Sequence, residues 1–143
     1  MQKETYISAG MHYNIDDLYG YPDTLVRARV SIAYRGGCDV VLNDNLKTGT
    51  VMDLGSCHGH GVKLIGEKLK PNLLISSDRW HDFLTIQKRF IGDGDLLTNR
   101  EYLQLNSPNL PLANCCLDGV FVLHMIEHLN DPTEMLNDVN RVV

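Results

Sequence analysis

Val51-Met52-Asp53-Leu54-Gly55-Ser56-Cys57-His58-Gly59-His60-Gly61 is the stretch on which the fold turns. Val51, Met52 and Leu54 form a short apolar run of the kind that builds a buried strand. The run carries an acid, Asp53, near its end and breaks at once into Gly55, Gly59 and Gly61. Beyond the glycines Val62, Leu64, Ile65 and Leu69 recur at spacings of three and four, which predicts a helix over Gly61 to Lys70. Strand, glycine turn and helix together make a cradle for a nucleotide-type ligand. Glycine allows positive φ and close approach of a ligand to the main chain, and the first helical turn offers N–H groups with no intrahelical partner. The Asp53 carboxylate would repel a pyrophosphate and suits a cationic ligand such as an amine. An ordinary strand-to-helix turn is the plain alternative.

Further along, Pro71-Asn72 turns the chain and Leu73-Leu74-Ile75-Ser76-Ser77-Asp78 reads as a second strand, again closed by an acid. Asp78 stands 19 residues after Gly59, close to the separation of about 20 at which an acid ending the second strand reaches the ribose hydroxyls of a bound nucleoside. Phe83, Ile86, Gln87 and Phe90 predict a helix up to Gly92, and a third strand is expected near Tyr102 to Leu105. Leu117 to Leu123 has the apolar character of a buried fourth strand. Asp131-Pro132-Thr133-Glu134 opens a last helix with cap, proline and capping-box acid in order. Strands alternating with helices in this way predict a parallel α/β sheet. Before the glycine turn, residues 1–21 are polar and tyrosine-rich (Tyr6, Tyr13, Tyr19, Tyr21), Pro22 starts a helix expected over 22–35, and residues 38–46 suggest a short second one.

A chain of 143 residues is long enough for one domain that buries about two thirds of its unfolded surface. Eighteen acidic against thirteen basic residues give a net charge of −5 with no block of like charge, which disfavours binding to nucleic acid. No apolar run approaches the roughly 20 residues of a membrane span, and the N-terminal MQKETYISAG lacks the apolar centre of an export signal. The expectation is a soluble, cytoplasmic protein with its four cysteines (Cys38, Cys57, Cys115, Cys116) reduced.

The motifs resemble those of the class I S-adenosylmethionine (SAM) dependent methyltransferases, specifically the type 11-like methyltransferase domain. Asp53, Gly55 and Gly59 fall on the family's first motif, with Cys57 where the family has its middle glycine. Leu110-Pro111-Leu112, Leu117-Asp118 and Glu127-His128-Leu129 are similar to its later Leu-Pro-Phe, Phe-Asp and Glu-His-Leu positions. In the same register Asn106 stands where the family has an Asp that accepts from the adenine amino group, and an Asn carbonyl still accepts.

The resemblance covers residues 40–143 and implies a Rossmann-like three-layer sandwich with a mostly parallel sheet, incomplete at its C-terminal half because the family's sheet has seven strands. A single domain over 1–143 is expected, with a lid or helical segment over 1–45 and the cofactor-binding half of the sheet over 46–143. The implied function is methyl transfer from SAM to an unknown acceptor, a small molecule being one choice. A non-catalytic SAM-binding or assembly module completed by dimerisation or a partner chain is the alternative.

By the same resemblance Asp53 would hold the methionine end of SAM through ordered water or its amino group, over the backbone of Gly55, Ser56, Cys57 and Gly59. Asp78 would bind the ribose, and Arg79 or Trp80 together with Asn106 would flank the adenine. If a base is needed, His124 at the mouth of the fourth strand is the candidate, because an imidazole takes a proton near neutral pH. The fourth strand would be an unpaired edge, which suggests a homodimer through that edge or the neighbouring helices.

Other chemistry in the same residues is weaker. His124-Met125-Ile126-Glu127-His128 spells the H-x-x-E-H of inverted zinc proteases, but His124 ends a strand instead of lying in a helix. Cys57, His58 and His60 are too tightly spaced to converge with Cys115 and Cys116 on a zinc tetrahedron. Asp93-Gly94-Asp95 has too few carboxylates for a calcium loop, and no third glycine completes the G-x-G-x-x-G of an NAD site. No metal is expected.

Overall fold

The computed structural model describes residues 5–8, 11–14, 49–91, 99–123 and 125–143. The helices expected over 22–35 and 38–46, and the Asp93-Gly94-Asp95 loop, lie outside the described residues. Two short strands, β1 (Thr5–Ser8) and β2 (Met11–Asn14), pair antiparallel with Thr5 opposite Asn14 and Ser8 opposite Met11.

The main sheet has four parallel strands: β3 (Thr50–Leu54), β4 (Leu73–Asp78), β5 (Asn99–Gln104) and β6 (Gly119–Phe121). Their order is β5-β4-β3-β6, so the chain starts the sheet in the middle, grows outward to β5, and returns to the other side of β3. Asp53 pairs with Ser76 across β3 and β4, and Asp78 with Gln104 across β4 and β5, which brings both acidic strand ends to the same rim.

Alternation along the strands divides the core. Val51 and Leu74 point to one face, where helix α1 (His60–Leu69) buries Val62 and Ile65 against them. Met52, Leu54 and Ile75 point to the other, where α3 (Thr133–Val142) buries Met135 and Val142. Helix α2 (His81–Phe90) lies with α1, since its Gln87 reaches Ser76 on the Leu74 side of β4. Two helices, a sheet and a helix make the three expected layers.

The third strand begins three residues before its expected start, at Asn99 in place of Tyr102. Asn99, Arg100 and Glu101 conceal it because, among the described residues, β5 ends the sheet and its side chains are exposed or half-buried, where polar residues cost little. The fourth strand shrinks from Leu117–Leu123 to Gly119–Phe121. Its first residue is drawn off to α3: Cys116 and Leu117 N–H donate to Val142 O at 2.8 and 2.9 Å, satisfying a carbonyl that the helix end leaves without a partner. At the other end of α3 the Asp131 carboxylate accepts Thr133 N–H at 2.8 Å, but the cap position falls one residue later than expected, on Pro132, which has no side-chain cap bond. Among the described residues β6 has a strand neighbour on one side only, β3. No helix among them is long and apolar enough to cross a membrane.

Candidate functional site

The glycine turn leaves β3 through three left-handed residues: Gly55 at φ 77°, Cys57 at φ 48° and Gly59 at φ 85°. Gly55 and Ser56 N–H both donate to Ser77 O at 2.9 Å, folding the turn over the end of β4. A Cβ on Gly59 would lie 2.5 Å from Ile91 Cδ1 and 2.9 Å from Gln87 Cγ, so glycine there lets the start of α1 close against α2. At Gly55 a Cβ would meet Met125 Sδ at 2.9 Å, at the wall of the cleft described below.

The two strand-end acids occupy different places. Asp53 is 1% exposed and does not line the cleft. It sits on the α1 face of β3, and burial, with the charge of Asp78 adding to it, pushes its carboxyl up to about 7 against a smaller opposing pull from the Val62 N–H. Its Oδ2 finds no hydrogen-bond partner among the described residues. The Asp53 carboxyl thus lies beneath the turn, outside the lining of the cleft. Asp78 does reach the cleft. Its Oδ2 accepts Cys57 N–H at 3.0 Å and its Oδ1 accepts Trp80 N–H at 2.9 Å. Burial raises its pKa, and these backbone donors and Arg79 counter the rise.

Behind the turn lies a polar ring absent from the sequence reading. The Gln87 amide donates to Cys57 O at 2.6 Å and to Ser56 Oγ at 2.8 Å, while Ser76 Oγ donates to Gln87 Oε1 and lies 2.9 Å from Ser56 Oγ. Next to it the Cys57 thiol stands 3.0 Å from His58 Nδ1. Burial pushes the thiol up to about 12 and the imidazole down to about 4, so at neutral pH this is a neutral pair and no thiolate. The His58 ring packs edge-on to Phe83 at 4.6 Å.

Between the turn and the ends of β4 and β5 opens a cleft of about 220 Å³. Leu54, Phe83, Leu105 and Met125 give it apolar walls, and Asp78, Asn106 and the Gly55 backbone supply its polar edge. At its mouth the Arg79 guanidinium lies 4.9 Å from the centre of the Trp80 ring, which is 38% exposed. Behind the Asn106 loop, Arg141 of α3 donates to Leu112 O at 2.7 Å and to Leu110 O at 2.8 Å, and Asp138 accepts Leu110 N–H. That clamp ties the Leu110-Pro111-Leu112 motif to α3.

Of the residues expected from the sequence, Gly55, Asp78, Arg79, Trp80 and Asn106 converge on the cleft. Ser56, Cys57 and Gly59 shape the turn behind it, and Asp53 supports it from below. His124 lies outside the described residues. Glu127 and His128 form a short 3-10 turn, and His128 reaches the cleft. The sequence reading missed Phe83, Leu105 and Met125 as walls and Gln87 as a support. Gln87 left one trace, a polar residue on the buried stripe of α2. Among the described residues no group of three acidic, histidine or cysteine side chains is placed to hold a metal ion. A carboxylate with spare lone pairs beside apolar walls can accept hydroxyl protons from a ribose and shelter a flat ring.

A methyltransferase domain family model matches residues 52–143. No curated protein sequence matches the chain significantly. A Methanococcus maripaludis protein, provisionally described as an S-adenosyl-L-methionine-dependent methyltransferase, superposes with a TM-score of 0.69 at 16% identity, over 80% of this chain and 52% of that one. A SAM-dependent methyltransferase from Aquifex aeolicus gives 0.68 at 19% identity, over 92% of this chain and 68% of that one. Magnesium protoporphyrin IX methyltransferase from Synechocystis, solved with bound SAM, gives 0.60 at 16% identity, over 87% and 62%. At such identities the likeness is one of fold, a Rossmann-like parallel sheet. This chain spans about half the length of the Methanococcus protein.

Proposed function

This chain belongs to the methyltransferase domain family, and from that premise we propose that its cleft binds SAM and that it transfers the methyl group to an acceptor. The observation that carries the reading is Asp78, an acid at the end of β4 that faces an otherwise largely apolar cleft beside Gly55 and Asn106. The Asp78 carboxylate accepts backbone N–H groups of Cys57 and Trp80, with Arg79 N–H contributing, and a carboxylate with about four acceptor sites keeps capacity for a ribose hydroxyl. When bound, SAM supplies a sulfonium methyl open to in-line displacement by an N, O, C or S nucleophile.

The chain's own part is chiefly positioning. Leu54, Leu105 and Met125 keep water from the ring system, the Asn106 carbonyl accepts from an amino group on it, and Arg79 and Trp80 flank it. Asp53 lies beneath the turn and accepts the Val62 N–H at the start of α1. His124 serves as general base where the acceptor must lose a proton. A second reading, a cofactor-binding module that works within an assembly, is favoured by β6, which among the described residues pairs on one side only. Two copies pairing along β6 would satisfy that edge.

Calorimetric titration with SAM and with S-adenosylhomocysteine tests the proposal. Micromolar binding that disappears in Asp78→Ala is expected. An absence of binding at millimolar ligand would refute it. Binding with no turnover on any acceptor would favour the module.

A further inference from the structure

We infer that Gln87 is a positioning residue for the cleft, orienting the Asp78 carboxylate through the main chain of Cys57. Cys57 is a residue with a Cβ held at φ 48°, a left-handed conformation that side chains disfavour and that persists only where surrounding contacts fix it. Its peptide groups are fixed from two sides. The carbonyl accepts from Gln87 Nε2 at 2.6 Å, and the N–H donates to Asp78 Oδ2 at 3.0 Å.

The donor and acceptor count around Gln87 closes. A carbonyl oxygen only accepts, so the amide NH2 must face Cys57; its second hydrogen goes to Ser56 Oγ, and Oε1 accepts from Ser76. Ser56 is then free to donate to Ser76 Oγ, 2.9 Å away. Gln87 is fully buried at 0% exposure, so no water competes for these bonds, and a fully satisfied buried network of this kind specifies one geometry. Gln87 itself does not line the cleft, whereas Asp78 does. The line of action runs from α2 to the turn and from the turn to the carboxylate. A glycine at position 57 would reach the same backbone conformation without this support; with cysteine there, Gln87 supplies the restraint.

For its ligand arm the inference rests on the SAM-binding reading, so the experiment has a second arm that does not. Gln87→Met keeps the volume and removes every hydrogen bond, and Gln87→Asn serves in its place if the methionine variant does not fold. In the unliganded protein, hydrogen exchange of the residue 57 amide is expected to accelerate about tenfold. Affinity for S-adenosylhomocysteine, read by calorimetry, is expected to fall about tenfold. Adding Cys57→Gly to the Gln87 variant is expected to restore affinity to that of Cys57→Gly alone.

Wild-type exchange at residue 57 in the Gln87 variant would overturn the inference. So would an affinity loss that Cys57→Gly leaves uncorrected, since Gln87 would then act on packing alone. If the wild-type chain binds no S-adenosylhomocysteine, the cofactor reading fails and the exchange arm decides the role of Gln87 by itself.

Discussion

Replacing Asp53 by Asn should make the protein more stable at pH 8 and leave it nearly unchanged at pH 4. Asp53 is 1% exposed and its carboxyl is carried from an ordinary 3.8 to about 7, first by burial and then by the charge of Asp78. A carboxyl whose folded pKa is raised holds its proton more tightly in the native state than in the unfolded one. Its favourable contribution is complete below the unfolded pKa and is lost as pH rises through the folded value. The window therefore runs from about pH 4 to about pH 7. Carrying the carboxyl across it corresponds to a ceiling of about 4 kcal/mol, at about 1.4 kcal/mol per tenfold change in acidity.

Asn presents the same acceptor oxygen to the Val62 N–H and never ionises. Urea unfolding of both proteins from pH 4 to pH 8, followed through the single tryptophan, Trp80, gives the difference directly. His58, lowered to about 4, weakens both proteins as pH falls from 6.5 and cancels in that difference. Cys57, raised to about 12, weakens the fold only above pH 9, outside the pH 4 to pH 8 range. A wild-type protein that gained stability relative to Asp53→Asn as pH rose would refute the reasoning, because it would mean that the fold stabilises the carboxylate.

Gly59→Ala puts a Cβ 2.5 Å from Ile91 Cδ1 at φ 85°, and a loss of about 2–4 kcal/mol in unfolding free energy is expected from overlap and backbone strain together. Arg141→Ala removes the donors to Leu110 O and Leu112 O; a loss of about 1–3 kcal/mol by urea unfolding is expected, and an unchanged midpoint would mean that the Leu110-Pro111-Leu112 segment holds itself. With a true acceptor in hand, His124→Ala should lower turnover about 100-fold or more at unchanged SAM affinity if the histidine is the base, and an unchanged rate removes it from the reaction. Light scattering across a wide concentration range should report a dimer if two copies pair along β6, and a monomer throughout would count against that pairing.

What the sequence determined by itself is whatever depends on neighbours along the chain. The apolar run, the acid and the glycines of 51–61 dictated strand, turn and helix, and the boundaries of β4 were legible because Leu73 to Asp78 is buried on both faces and punctuated by Pro71-Asn72 and an acid. The same local logic located Asp78, Gly55 and Asn106 on one cleft once parallel order was assumed, since parallel strands carry their C-terminal ends to a common rim. The tertiary structure alone decided the rest. Register set β5 three residues early, because an edge strand tolerates polar residues that hide it from a pattern of apolar alternation. Depth separated two acids that look alike in sequence: Asp53 faces α1 and is sealed off, while Asp78 faces the cleft. Gln87 met Cys57 across 30 positions of chain, and no periodicity encodes a hydrogen bond that exists only after two helices have closed on one face of a sheet.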